Sequence, residues 1–193
     1  MTEGDERTEG FAGLEGYARL EGYARLVAAA EAIHEKAAAG EPQIDGLELA
    51  GIGWATVELE RAAREVGAAV GIDPDAWVAA PRDALLGARA WVAAPEAGGP
   101  AVVLLEPDTE GRLAATLARF GEVLAAVYLR DVDPVTSAPG SAAAASALGP
   151  GRLVRGAPAW GPYVLLLAPP HPPDPPAPPR PAAPRGMPML DDR

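Results

Sequence analysis

The chain has 193 residues, no cysteine and a formal net charge of −11. Disulfides, thiolate metal sites and a cysteine nucleophile are thereby excluded, and the acidity argues against nucleic acid or an anionic membrane surface as a partner. No uninterrupted run of about 18 apolar residues occurs, so no spanning helix is expected. The opening MTEGDERTEG is acidic and polar and does not read as a signal peptide, so a cytoplasmic location is the expectation.

Residues 1–10 carry no apolar pattern and are expected to be disordered. Residues 11–39 read as a helix. Leu20, Tyr23, Val27, Ala30, Ile33 and Ala37 form an apolar stripe, and Gly40 and Pro42 end it. Within this helix LEGYAR occurs twice, at 14–19 and 20–25. Six helical residues turn through about 600°, so the copies face directions about 120° apart and cannot both meet one core. The repeat reads as a tandem duplication that lengthens a solvated helix end; a recognition repeat is the alternative.

The stretch LAGIGWATVELERA at 49–62 reads as a strand running into a helix. Ile52, Trp54, Thr56 and Val57 favour the strand. From Glu58 the period changes, with Leu59, Ala62, Ala63, Val66 and Ala69 at helical spacing. Thr56 is the expected N-cap and Gly71 the expected stop. Alternation places Leu49, Gly51, Gly53, Ala55 and Val57 on one face of the strand. That face is nearly bare in its middle, which admits either a ligand or another packed element.

Further on, 72–82 reads as a loop. Residues 84–92 and 101–106 read as two strands of a hairpin across the turn EAGGP. A helix is expected from Asp108 or Thr109 to Phe120, stopped by Gly121, and a strand at 123–130. The segment 131–150 reads as a loop with a short helix at 141–148. A strand interrupted by Gly156 and Pro158 follows, then an apolar strand at 162–167. From 168 the chain is dominated by proline and should be extended and disordered, a passive tail or a ligand for a proline-binding module. The order of elements gives an α+β plan with a mostly antiparallel, curved sheet.

Taken together, LAGIGWATVELERA, DALLGARAWV at 83–92, VVLLEP at 102–107 and RLAATLARFGEVLAAVYL at 112–129 resemble, in that order, the vicinal oxygen chelate superfamily, the glyoxalase/bleomycin-resistance fold. The resemblance implies paired βαβββ modules folded into a half-open barrel around a ligand. The expected organisation is a disordered segment at 1–10, a helical extension at 11–40, a glyoxalase-like domain at 45–168 and a disordered tail at 169–193.

In enzymes of that family, histidines and glutamates on the strands hold a divalent ion. Here the two histidine positions are occupied by Gly51 and Ala126, and Glu106 matches the retained glutamate. The last strand offers no carboxylate. His34 and His171 lie outside the barrel strands. One carboxylate does not hold a divalent metal, so no metal and no cofactor is expected.

The resemblance and strand alternation together give an apolar, aromatic lining of Gly51, Gly53, Ala55, Trp91, Glu106, Leu124, Ala126, Tyr128, Arg130 and Trp160. Glu106 and Tyr128 are the candidate catalytic groups. The leading expectation is a metal-free protein that holds an apolar or aromatic metabolite for sequestration or resistance, as a homodimer. One alternative is a metal-independent isomerase or lyase of secondary metabolism with Glu106 as general base. The other is an interaction scaffold acting through the helix and the proline tail.

Overall fold

A computed structural model describes residues 6–41, 44–96, 98–131, 143–154 and 161–169, with the backbone alone over 6–20. Residues 170–193 of the proline tail, with His171, and residues 155–160, with Gly156, Pro158 and Trp160, lie outside the described residues. No described helix is long and apolar enough to cross a membrane.

Eight strands form one sheet: β1 (Glu48–Ala55), β2 (Val78–Asp83), β3 (Ala88–Ala93), β4 (Ala101–Pro107), β5 (Val123–Arg130), β6 (Ala144–Ser146), β7 (Gly149–Leu153) and β8 (Tyr163–Leu167). Their spatial order is β2-β3-β4-β1-β5-β8-β7-β6. The order is two four-stranded halves, each the mirror of the other, joined where β1 and β5 run antiparallel. In each half the first strand pairs in parallel with the last, β1 with β4 and β5 with β8. The remaining pairs are antiparallel. This is the paired-module, half-open barrel that the sequence led us to expect.

Among the described residues three α-helices accompany the sheet: α1 (Glu6–Gly40), α2 (Leu59–Val70) and α3 (Arg112–Phe120). Leu59, Ala62, Ala63 and Val70 of α2 bury against Val102, Leu104 and Ala93 on the outer face of the first half. The α1 helix does the same for the second half. Its Ala30 is fully buried among Ile52, Val127, Leu129 and Val164, flanked by Val27 and Ile33. The helix expected as an appendage therefore supplies half of the outer core. It begins at Glu6, within the segment expected to be disordered.

Several boundaries follow the expected punctuation. Gly71 takes a left-handed conformation (φ 76°) and its N–H reaches Gly67 O, ending α2. Gly121 ends α3, and its N–H bonds Leu117 O.

Others differ. The expected loop at 72–82 contains a 3-10 turn at Pro74–Ala76 and the edge strand β2. Pro81 is tolerated there because an edge strand can spare an N–H, and the pairing with β3 skips between Ala80 and Asp83. The short helix expected at 141–148 is instead the β6–β7 hairpin. Thr56 does not cap α2 in the usual sense. The N-cap residue is Glu58, whose N–H bonds Thr56 Oγ1 at 3.2 Å.

The Thr56 hydroxyl in turn donates to Glu122 Oε1 at 2.6 Å, which also receives the Val57 N–H at 3.0 Å and a charge-assisted bond from Arg61. Partial burial alone would raise the Glu122 carboxyl, but these three donors outweigh it and hold the group below its ordinary range. A depressed carboxylate contributes stability that is present above the unfolded value, about 4.3, and lost as pH falls through the lower folded value. Wild type should therefore lose more stability than Glu122→Gln between about pH 5 and pH 3, as read by urea midpoints across that range. Parallel pH curves for the two proteins would contradict this.

Candidate functional site: the barrel interior

The inner face of β1 is bare by sequence, and the barrel's own side chains fill the space. A Cβ built on Gly51 would run into Leu148 Cδ1. One built on Gly53 would meet Ala126 Cβ at 2.8 Å, Leu105 Cδ1 at 2.9 Å and Tyr128 Cε2 at 3.3 Å. Real Cβ atoms do not approach a neighbouring Cβ as closely as 2.8 Å, so Gly53 requires glycine, whereas at Gly51 the conflict is with the end of the Leu148 side chain. Around them Ala55, Val103, Leu105, Ala126, Tyr128, Tyr163 and Leu165 form one buried cluster. Leu148 is different in kind. It sits on the two-residue turn between β6 and β7, is half-buried, and packs against the interior cluster with its end over Gly51.

Strand alternation places the remaining expected residues correctly only where pairing is regular. Ala126 and Tyr128 face inward with Gly51, Gly53 and Ala55. Leu124 does not. Gly53 pairs with Ala126 while Trp54 pairs with Leu124, so Ala125 is an extra residue, and this bulge turns Leu124 to the helix-covered face. A second bulge at Ala50 does the same to Leu49, which packs with the α1 cluster. Trp91 lies against the α2 cluster, also on the outer face. Arg130 is exposed at the end of β5.

Glu106 is on the outer side as well. Alternation runs Val103 and Leu105 inward and Val102 and Leu104 beneath α2, and Glu106 continues the second set. Its Oε2 accepts the Leu59 N–H at 3.3 Å, at the N-terminus of α2, and its Oε1 pairs with Arg89. A carboxylate there satisfies one of the free donors of the first helical turn and complements the helix dipole. The expected pairing of Glu106 with Tyr128 in one cavity is not what the structure brings together.

Tyr128 has another partner. Its hydroxyl donates to Asp83 Oδ2 at 2.9 Å, and both residues are fully buried. Asp83 Oδ2 also accepts the Ala147 N–H at 3.3 Å, and Oδ1 accepts the Leu86 N–H at 3.0 Å. Asp83 ends β2 and Ala147 follows β6, so this carboxyl ties the two outermost strands of the sheet together. Beside it the Ala84 N–H bonds Ala145 O at 2.9 Å. Burial raises the Asp83 carboxyl above the usual carboxylate range, offset in part by these donors. Burial also raises the Tyr128 hydroxyl well above its ordinary value, and the neighbouring Asp83 adds to it. Tyr128 is thus a neutral donor, and Asp83 is a clamp across the seam of the barrel. Asp83 was not among the residues singled out from sequence, because a lone aspartate between PR and ALLG carries no pattern that marks it as buried.

The divalent ion that the resemblance implies does not fit the described residues of this interior. Gly51 and Ala126 supply no donor atoms, and Leu148 occupies the space any side chain on Gly51 would need. Among the described residues no group of three or more histidine, aspartate or glutamate side chains converges.

No family model and no curated protein matches the sequence. Among solved structures, a Streptomyces coelicolor methylmalonyl-CoA epimerase (E43Q) in complex with 2-nitronate-propionyl-CoA is similar at 16% identity and a TM-score of 0.47, over 62% of this chain and 94% of that one. A methylmalonyl-CoA epimerase from Mycobacterium tuberculosis is similar at 19% identity and 0.47, over 63% and 87%. Strand order, the parallel pairing within each half and the antiparallel β1–β5 junction give the chain the fold of the vicinal oxygen chelate (glyoxalase-like) superfamily.

Proposed function

We propose that this protein binds a small apolar or aromatic molecule in the barrel interior without a resident metal, and that the ligand takes the place of Leu148. The observation that carries this reading is the cover over Gly51. The bare strip of β1 is closed there by a half-buried side chain on a hairpin turn, the part of the wall that can move with least disturbance to the sheet. Behind it the lining is largely alanine, leucine and valine, with two hydrogen-bonded tyrosines among them, Tyr128 on Asp83 and Tyr163 on the Arg112 carbonyl. An apolar interior with few polar groups, once Leu148 moves aside, suits a compact organic ligand.

The reading is tested with 1-naphthol as probe, by isothermal titration. Truncating the cover, Leu148→Ala, should strengthen binding by about tenfold, because the probe then fills space that wild type must vacate. Enlarging it, Leu148→Trp, should abolish binding. Equal affinity in all three proteins would overturn the proposal.

A second reading is an interaction protein in which the barrel is a scaffold. It is favoured by Leu105 and Tyr128, which pack the space beside Gly53 in the way a permanent core does.

A further inference from the structure

The LEGYAR repeat was expected to lengthen a solvated helix end, yet its second copy is the part of α1 that docks on α2. A Cβ on Gly22 would run into the Ala69 backbone carbonyl, so the two helices cross at this glycine. The next residue, Tyr23, sends its hydroxyl to Pro100 O at 2.8 Å, and that hydroxyl lies 2.7 Å from where a Cβ on Gly99 would stand. The glycine–tyrosine pair is therefore the docking element, and the first copy carries the same pair at Gly16 and Tyr17.

The match extends past the repeat. Along the buried face of α1, six residues upstream of Leu26, Ala30 and Ala38 stand Leu20, Ala24 and Ala32. Ala30 is fully buried, and Ala24 brings the same residue to that position. Val27 stands six residues before Ile33. The differences are Glu21 for Val27, Glu31 for Ala37 and Ala28 for His34, whose Nε2 bonds Ile44 O at 2.9 Å. Two glutamates at half-buried positions and one lost hydrogen bond explain why the register seen is the favoured one.

We infer that α1 has a second docking register, displaced by six residues, in which Gly16 takes the crossing at Ala69 and Tyr17 takes the bond to Pro100. The helix would move about 9 Å along its axis and turn about 120° around it, which brings the first copy to the face now presented by the second. Residues 35–40 would leave the docked helix and lengthen the connection to β1. A repeat whose period returns the glycine–tyrosine pair and most of the buried apolar positions to like residues supplies a second minimum on the same surface.

The test is a glycine rescue, read by hydrogen exchange on the full chain. Gly22→Ala places a Cβ against the Ala69 carbonyl and blocks the register seen. It should leave α1 docked through Gly16, with α2 still protected and residues 35–40 exchanging at least tenfold faster than in wild type. Gly16→Ala alone should change neither segment. The double variant G16A/G22A should release α1 and expose the outer face, with α2 losing protection. If G22A and the double variant behave alike, α1 has one register and the inference fails. A change of mass to a dimer in G22A, measured by native mass spectrometry, would also overturn it, because docking would then occur between chains.

Discussion

Replacing Asp83 with alanine should destabilise the protein by about 2–4 kcal/mol, read as a lower urea midpoint with little change in slope. The Tyr128 hydroxyl and the Leu86 and Ala147 N–H groups all lose their acceptor inside the barrel. A buried donor without a partner costs about 1–3 kcal/mol, and relief from burying the carboxyl offsets part of the total. Tyr128→Phe removes a single donor and should cost about 1–2 kcal/mol. A double-mutant cycle between the two should show coupling, since they share one hydrogen bond.

The pH dependence has a definite sign. Folding raises the Asp83 carboxyl, so its titration contributes stability that is fully present below the unfolded value, about 3.9, and is lost as pH rises through the higher folded value. The stability of Asp83→Asn relative to wild type should therefore rise as pH increases from about 4. This is opposite in direction to the Glu122 effect, and the two variants together separate a carboxyl penalised by burial from one stabilised by its donors.

Gly53→Val should be more damaging still, at about 3–5 kcal/mol, with much of the protein recovered as aggregate. The new side chain has Ala126, Leu105 and Tyr128 within contact distance at its Cβ alone. Overpacking by a few methyl groups costs about 1–3 kcal/mol, and displacing Tyr128 also strains its bond to Asp83. Measured stability within 1 kcal/mol of wild type would show the inner face of β1 to be less crowded than its glycines imply. The same substitution at Gly46, where a Cβ meets nothing within 4 Å, tests a different cost: φ is 81°, so backbone strain is the penalty there.

The sequence made the order of the elements legible because it is written in local signals. Helix stops at Gly71 and Gly121, the apolar run of β4 and the change of period at Glu58 each lie within a few residues. The bare face of β1 was also readable, since glycines at 51 and 53 share one side of a strand whatever the register. What the glycines accommodate was not readable, because Leu148 comes from a hairpin about a hundred residues away and was expected to lie on a short helix.

The bulge at Ala125 explains the errors of facing. Alternation assumes one residue per pair. A single extra alanine in β5 moved Leu124 to the outer face while leaving Ala126 and Tyr128 inside. For Glu106 the parity was counted from Val102 and Leu104 correctly, but these two line the α2 side, not the cavity. The α1 helix posed a different problem. Its stripe was visible, yet nothing local shows that a helix at the start of the chain covers β5 and β8 at the other end of the domain.

The most direct measurement is native mass spectrometry of untagged protein, wild type beside Leu148→Trp, purified from the source organism. An interior that holds a small apolar molecule behind Leu148 predicts an organic adduct on wild type, no divalent ion, and no adduct on Leu148→Trp. A stoichiometric divalent ion, an adduct of equal occupancy on both proteins, or wild type that is empty would contradict it.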